Sequence, residues 1–195
     1  LYDAVCLADV PKQRILEATR GAILARGSTG VSYLIEQLRS ADKGRLGIGL
    51  RTARELPGRD VTEALAAAMG GLSADRRPLL LLALADRTDD AVLPAVVKAA
   101  KDGSKDLRVA AVGVMTRIGN VSCVPVLLEA AADSDAELAQ AAKTTLTKLP
   151  GKDVDADLLA RLPQASGKTR QVLIELAGRL EERRVGKECR LLCRS

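Results

Sequence analysis

The sequence predicts an all-α fold, an α-solenoid of stacked antiparallel helix pairs that repeat every 31 residues. One observation is a unit that occurs twice in a row, because residues 92–97 are matched by residues 123–128, and residues 104–107 by residues 135–138. A second observation is that the chain has no Phe or Trp and only two Tyr, although 47% of its residues are apolar. A core of Ala, Leu, Val and Ile suits thin layers of closely packed helices better than one thick core.

The composition excludes several function classes. None of the 195 residues is His, which excludes His-based catalytic triads, imidazole zinc sites and a CxxCH haem attachment. The four cysteines form no CxxC pair, and Cys123 occupies a position that Val61 and Val92 fill in other repeats. We therefore expect Cys123 to be a small core residue, and we expect no metal site and no cofactor.

Charge and hydropathy argue against nucleic acid and membranes as partners. The net charge of +5 is spread along the chain, whereas nucleic-acid-binding proteins usually concentrate cations on one face. The most apolar run, residues 79–85, is too short to span a membrane. The sequence begins at Leu1 without a Met and shows no signal peptide, so we interpret it as a fragment of a longer protein, either cytoplasmic or periplasmic.

The first helix of each unit carries an apolar stripe. Before the complete units, residues 1–29 are expected to form a partial repeat, whose helix opens near Asp9 and Pro11 and ends at Gly27. In the units that follow, apolar residues recur at positions i, i+1 and i+4 of the first helix. These positions hold Leu34, Leu65, Val96, Leu127 and Leu158; Ile35, Ala66, Val97, Leu128 and Leu159; and Leu38, Met69, Ala100, Ala131 and Leu162.

The second helix of each unit has a predicted N-cap, a core and a terminator. The N-cap position always holds a residue whose side-chain oxygen can accept an N–H of the first turn, and the terminator position holds a residue that tolerates left-handed backbone. The N-caps are Asp42, Ser73, Ser104, Asp135 and Ser166. The core positions are Ile48, Leu79, Ala110, Ala141 and Val172, and then Ala53, Leu84, Met115, Leu146 and Ala177. The terminators are Gly27, Gly58, Asp89, Asn120 and Gly151.

These recurrences divide the chain into a partial repeat, five helix pairs and a tail. Residues 181–195 show no matching core and are interpreted as disordered or non-native. The five predicted repeats are approximately 30–60, 61–91, 92–122, 123–153 and 154–180.

Within one unit, Pro94 is followed after eight residues by Asp102 and after six more by Arg108, with small apolar residues next. This arrangement resembles a HEAT repeat in its short bacterial form of about 30 residues. The resemblance covers residues 30–180 and implies that the Asp and the Arg form a ladder between neighbouring repeats. The next unit keeps Pro125 and Asp133 but has Ala139 at the arginine position, and Gly71 and Gln164 replace the Asp elsewhere, so the ladder is expected to be incomplete.

Sequence motifs for catalysis are weak. Residues 166–169 read Ser-Gly-Lys-Thr, as at the end of a phosphate-binding loop, but Leu162 stands where its first Gly belongs and no strand precedes it. Gly44, Gly47 and Gly49 fit no dinucleotide fingerprint and are expected to allow close approach of helices. We therefore expect no catalytic residue.

One position of the second helix forms a series of charges. Because neighbouring helices pack about 8–10 Å apart, this position is expected to form a row that is acidic at one end and basic at the other. Solvated surface charge explains such a row, and a partner of matching charge is the alternative. The row consists of Glu55, Asp86, Arg117, Lys148 and Arg179.

The leading functional prediction is a non-catalytic scaffold that binds a protein partner through an extended surface. One alternative is the accessory repeat array of a multidomain extracytoplasmic enzyme or c-type cytochrome protein, which similar bacterial arrays accompany. Another is a bilin-lyase-like protein, against which the scarcity of aromatic residues argues. The last helix, with Val172, Leu173 and Leu176, is expected to lack a polar cover, so the chain is predicted to be monomeric or to associate through that end.

Overall fold

The computed structural model describes residues 12–87, 89–149 and 151–178. These residues form helices joined by short turns, and no strand occurs among them, so the all-α prediction is confirmed. The helices are α1 (Lys12–Ala25), α2 (Val31–Arg39), α3 (Lys43–Glu55), α4 (Arg59–Ala68), α5 (Arg76–Ala85), α6 (Leu93–Asp102), α7 (Lys105–Ile118), α8 (Val124–Ala131), α9 (Ala136–Lys148), α10 (Lys152–Arg161) and α11, described over 167–178. Turns of 3-10 helix lie at Gly27–Gly30, Met69–Gly71, Asp90–Val92, Val121–Cys123 and Leu162–Gln164.

The chain divides into two compact units, unit 1 (Leu1–Ala95) and unit 2 (Val96–Ser195). In unit 1 the helices form two layers: α1, α3 and α5 pack side by side in series, and α2 packs beside α4. Each second helix also packs against the first helix of its own pair, as α3 does against α2. In unit 2, α9 packs between α7 and its own partner α8, and α8 contacts α10. Each unit is therefore a stack of antiparallel helix pairs.

The predicted core of the first helices is confirmed at its principal position. Leu34, Leu65, Val96, Leu127 and Leu158 are all buried. At the next position along the helix Leu128 is buried. Ile35, Ala66 and Val97 at this position are only half-buried. Leu159 is 52% exposed, so its prediction as a core residue is wrong.

The second helices bury most of the residues predicted as their core, among them Ala53, Leu84, Met115 and Leu146, but Leu79 is an exception. Leu79 is 42% exposed and lies one turn from Leu82, which is 41% exposed, while Leu80 and Leu81 are buried. The prediction of Leu79 as core is therefore wrong, because the run of leucines covers both faces of α5 and the neighbouring positions face the interior. Ala110 and Ala141 at the equivalent positions are half-buried.

The expectation of an uncovered last helix is not met. Val172, Leu173 and Leu176 on α11 are buried, because this stripe faces the interior of unit 2. The exposed apolar residue of α11 is Ile174, which keeps 55% of its surface accessible.

Two of the five predicted N-caps bond through their side chains. Asp42 accepts hydrogen bonds from the N–H groups of Gly44 and Arg45, and Asp135 accepts from those of Glu137 and Leu138. Ser104 precedes α7 without a side-chain cap bond, and α5 begins after Asp75, which also makes none. A carboxylate is the better acceptor for the positive end of a helix dipole.

The terminators also fall into two classes. Gly27, Gly58 and Gly151 have φ values of 56°, 118° and 122°, which only glycine adopts easily. Asp89 and Asn120 have φ values of −100° and −138°, so the prediction of left-handed backbone there is wrong. Their side chains instead accept hydrogen bonds from the N–H groups two residues later, which caps the following 3-10 turn.

Close helix approach is observed at two of the three predicted glycines in α3. A Cβ on Gly49 would lie 3.2 Å from the backbone nitrogen of Leu38, so α2 and α3 touch through their backbones. A Cβ on Gly44 would meet the side chains of Asp42 and Leu16 at 3.0 Å, whereas Gly47 faces open space.

Cys123 is fully buried, which confirms its prediction as a core residue. No helix among the described residues is long and apolar enough to cross a membrane. The predicted tail, Cys6, Cys189 and Cys193 lie outside the described residues, and the five repeat boundaries stay a prediction.

Candidate partner-binding surface

The two complete second helices of unit 2 expose matching faces. On α7 the exposed residues Asp106, Gly113 and Arg117 follow one another at intervals of seven and four, so they share one side of the helix. Counterparts 31 residues later lie on α9, where Glu137 and Lys148 are exposed and the middle residue is half-buried. Since α7 and α9 pack side by side, we define the unit 2 face as Asp106, Ala110, Gly113, Arg117, Glu137, Ala141, Thr144 and Lys148.

One edge of the unit 2 face is acidic. Asp106 and Glu137 lie in the first turns of α7 and α9, where negative charge complements the helix dipole. Lys105 Nζ contacts the carboxylates of Asp135 and Glu137 at 2.9 and 3.0 Å. These two hydrogen bonds raise the pKa of Lys105 to about 12, and the hydrogen bond from Lys105 lowers the pKa of Asp135. The ion pair with Lys105 orients Glu137 at this edge.

The opposite edge is basic. Arg117 and Lys148 lie in the last turns of their helices and are exposed, as the sequence predicted from their charge. Lys148 makes no ion pair with another residue of the described ranges. Long cationic side chains at helix C-termini are electrostatically favourable and reach into solvent.

The floor between the two edges is made of small side chains. Ala110, Ala141 and Thr144 are half-buried, and Gly113 is exposed. A Cβ added to Gly113 would meet no atom within 4 Å. The floor therefore admits close approach by the backbone or the side chains of another molecule.

Arg108 on α7 joins its helix pair to the next one. Its Nη2 donates to the Asp133 carboxylate at 2.7 Å, and its Nε donates to the carbonyl oxygen of Ala100 at 3.1 Å. The N–H of Asp135 and the Arg108 guanidinium lower the pKa of Asp133 to about 2. The interaction supports one rung of the predicted ladder.

The other predicted ladder residues take simpler roles. Pro125 lies in the first turn of α8, and Pro94 is the exposed second residue of α6. Asp102 is exposed and accepts no hydrogen bond from the part of the chain that is described. The ladder beyond Arg108 and Asp133 stays a prediction.

The predicted charge row is only partly assembled by the structure. In unit 1, Glu55 accepts a hydrogen bond from Nε of Arg20 at 2.7 Å, and Asp86 accepts one from Nε of Arg54 at 2.7 Å. Both carboxylates are thus engaged within their own unit. Arg179 lies outside the described residues.

Sequence reasoning missed the small floor and the acidic edge as parts of a surface. The sequence pattern does not single out Asp106 and Glu137, and it predicts Ala110 and Ala141 as core residues. The available signal was the recurrence of acidic, small and basic residues after 31 positions on the same helix side.

The described residues thus define the class of a helical-repeat protein built from antiparallel pairs. Comparison with known families gives one match, in which the profile described as HEAT repeats covers residues 93–178. Residues 93–178 therefore match HEAT repeats, and this segment includes the whole unit 2 face. Curated proteins give no match. HEAT repeats commonly act as protein-interaction scaffolds, and the fold is typically non-catalytic.

Proposed function

We propose that the chain is a non-catalytic scaffold that binds a protein partner through the unit 2 face. The observation that supports the proposal is the repeated order of acidic edge, small floor and basic edge on α7 and α9. Repeat proteins use stacked faces of this kind as extended binding surfaces, to which many modest contacts contribute.

The distribution of charge favours a protein over a nucleic acid. A nucleic-acid-binding face gains its affinity from cations that neutralise phosphates, and acidic groups beside them would oppose binding. Asp106 and Glu137 stand on the same face as Arg117 and Lys148, so the field changes sign across it. A protein segment can carry both signs in the complementary order.

The proposal defines the orientation of the partner. Cationic side chains of the partner lie beside Asp106 and Glu137, and anionic side chains lie beside Arg117 and Lys148. Complementary charges of this kind mainly increase the association rate and specify the register, and their effect falls with ionic strength.

A charge-reversal experiment tests the proposal. A partner is first identified by capture on the 195-residue chain, and its affinity is then measured by calorimetry for the R117E/K148E double variant. We expect the affinity to fall by about tenfold or more, because both charges then repel the partner's acidic groups.

The control is K98E/K101E, which makes the same change in net charge on the exposed side of α6. This variant should bind as the unmodified chain does. Equal affinity of the unmodified chain and R117E/K148E would reject the proposal for this face. Glu55, Asp86 and Arg179 remain predicted members of the partner-binding surface and can be reversed in the same assay.

A further inference from the structure

A second charged feature lies within unit 1. A groove with a volume of ≈ 400 Å³ runs between the turn after α2 and the turn before α5. We name it the arginine groove, and it is lined by Arg39, Ala41, Gly71, Leu72, Ser73 and Arg76.

Two adjacent arginines, of which Arg76 lines the groove, are held in place by backbone carbonyls. Arg76 donates from Nη1 to the carbonyl oxygen of Leu38 at 2.8 Å, which ties it to the end of α2. The adjacent Arg77 donates from Nε to the carbonyl oxygen of Leu72 at 2.9 Å and from Nη2 to that of Gly70 at 3.0 Å. These bonds fix positive charge without neutralising it.

The third guanidinium, that of Arg39, is exposed at the end of α2 and makes no ion pair with any residue of the described ranges. Two nearby carboxylates already accept hydrogen bonds. Asp42 contacts Lys12 at 2.8 Å, and the hydroxyl of Ser73 donates to Asp75 and lowers its pKa. Arg39 and Arg76 thus line the groove, and Arg77 bonds the backbone next to it.

The groove lacks a carboxylate that other repeats provide. Gly71 occupies the repeat position of Asp102 and Asp133, and in unit 2 the Asp133 carboxylate accepts a hydrogen bond from Arg108 at 2.7 Å. A Cβ placed on Gly71 would lie 3.1 Å from Nη2 of Arg39. A carboxylate that enters at this point therefore contacts the Arg39 guanidinium directly.

We propose that the arginine groove binds a carboxylate group of an acidic peptide segment, with Arg39 as the principal contact. A guanidinium presents a planar fork of donors that matches both oxygens of a carboxylate. The missing side chain at Gly71 leaves the space that the incoming group fills. This site lies in unit 1 and does not depend on the unit 2 face.

The test uses an acetylated, amidated tetraglutamate peptide and the full chain labelled with ¹⁵N. We expect saturable shifts of the Arg39 Nε–Hε resonance at low salt, which weaken as ionic strength rises. The R39Q variant should bind about tenfold more weakly, because a charge-assisted hydrogen bond is lost. R14Q removes the same charge from an exposed position on α1 and should leave the affinity unchanged.

Two variants at Gly71 distinguish the effect of an added negative charge from the effect of filling the groove. G71D supplies an internal carboxylate and should abolish peptide binding, whereas G71N occupies the same space without charge and should bind more weakly than the unmodified chain but measurably. Circular dichroism of each variant confirms that it is folded.

Three outcomes with the peptides would overturn the proposal, and a fourth concerns phosphate. The first three are an equal affinity for tetraglutamine, an unchanged affinity of R39Q, or the absence of binding by the unmodified chain. Tighter binding of inorganic phosphate than of tetraglutamate would also overturn it, because the groove would then select phosphate. A negative result at Arg117 and Lys148 leaves this experiment unaffected.

Discussion

Arg87 donates a hydrogen bond from Nη1 to the carbonyl oxygen of Ala53 at 2.7 Å, across 34 residues of chain. The same nitrogen contacts the carbonyl oxygen of Leu56, and Nη2 reaches that of Gly58 at 2.9 Å. Nε donates to the hydroxyl of Thr62 at 2.9 Å. One half-buried guanidinium thus binds the carbonyl groups at the end of α3 and joins two consecutive helix pairs of unit 1.

The first prediction concerns this guanidinium. In R87K the ammonium group cannot reach all the acceptors, so at least one partly buried carbonyl loses its partner. We expect the free energy of unfolding to fall by about 2–3 kcal/mol. Urea denaturation followed by circular dichroism measures the change.

The control for Arg87 is R54K. Arg54 is an exposed residue of α3 whose Nε contacts Asp86, and such surface ion pairs contribute little to stability. R54K should change the free energy of unfolding by less than about 0.5 kcal/mol. Equal effects of the two substitutions would show that the carbonyl contacts of Arg87 do not stabilise unit 1.

The second prediction concerns pH and Asp133. The N–H of Asp135 and the Arg108 guanidinium lower the pKa of Asp133 to about 2, below its ordinary value of 3.8. A carboxyl group whose pKa is lower in the folded than in the unfolded state stabilises the fold above the unfolded pKa. That contribution declines as the pH falls through about 4 and is lost below about 2.

D133N removes this titration. We expect the variant to unfold at a lower urea concentration than the unmodified chain at about pH 6, and the difference to vanish as the pH approaches about 2. D102N is the matched control at the equivalent repeat position and should leave the urea midpoint unchanged. A constant difference for D133N at all pH values would contradict the prediction.

Much of the fold was predictable because the same helix positions are buried in successive repeats. Leu34, Leu65 and Val96 are fully buried, since the centre of each first helix always faces the interior of its layer. Leu79 and Leu159 are exposed although they were predicted as core residues. Apolar character alone does not distinguish the buried centre of a helix face from its exposed edge.

Arg87 could not be predicted from the repeat pattern. The equivalent positions hold Leu56, Ile118 and Leu149, so the pattern indicates an apolar contact there. The arginine is tolerated because several backbone carbonyls converge on it, which depends on tertiary structure. The same limit applies at Asp89, where sequence alone does not decide between left-handed backbone and capping of the next turn.

The candidate surface was predictable only at its basic edge. The charges of Arg117 and Lys148 indicate exposure. Alanine, as at Ala110 and Ala141, fits either a helix interface or a solvent-facing floor. Deciding between the two requires the exposure of each residue in the packed unit.

The third prediction contrasts two adjacent leucines of α10. Leu158 is buried and Leu159 is 52% exposed. L158A should lower the free energy of unfolding by about 2–5 kcal/mol, because it leaves a cavity in unit 2. L159A should cost less than about 0.5 kcal/mol in the same urea titration. Similar costs for both variants would show that the helix has a different orientation.

The fourth prediction concerns backbone conformation at Gly151. Its φ of 122° and ψ of 136° lie in a region that is essentially restricted to glycine, and Gly58 has nearly the same geometry at φ 118° and ψ 137°. A Cβ on Gly151 would meet only Val154, at an ordinary distance of 3.8 Å, so steric contact is not the obstacle. G151A should therefore lower the free energy of unfolding by about 1–3 kcal/mol through backbone strain alone.

Gly113 provides the matched control for Gly151. It lies inside α7 with open space around its Cβ position, so G113A should raise the free energy of unfolding by about 0.5–1 kcal/mol. Both values come from urea denaturation under identical conditions. If the two alanine substitutions change stability in the same direction, positive φ at Gly151 is not the constraint that ends α9 and starts α10.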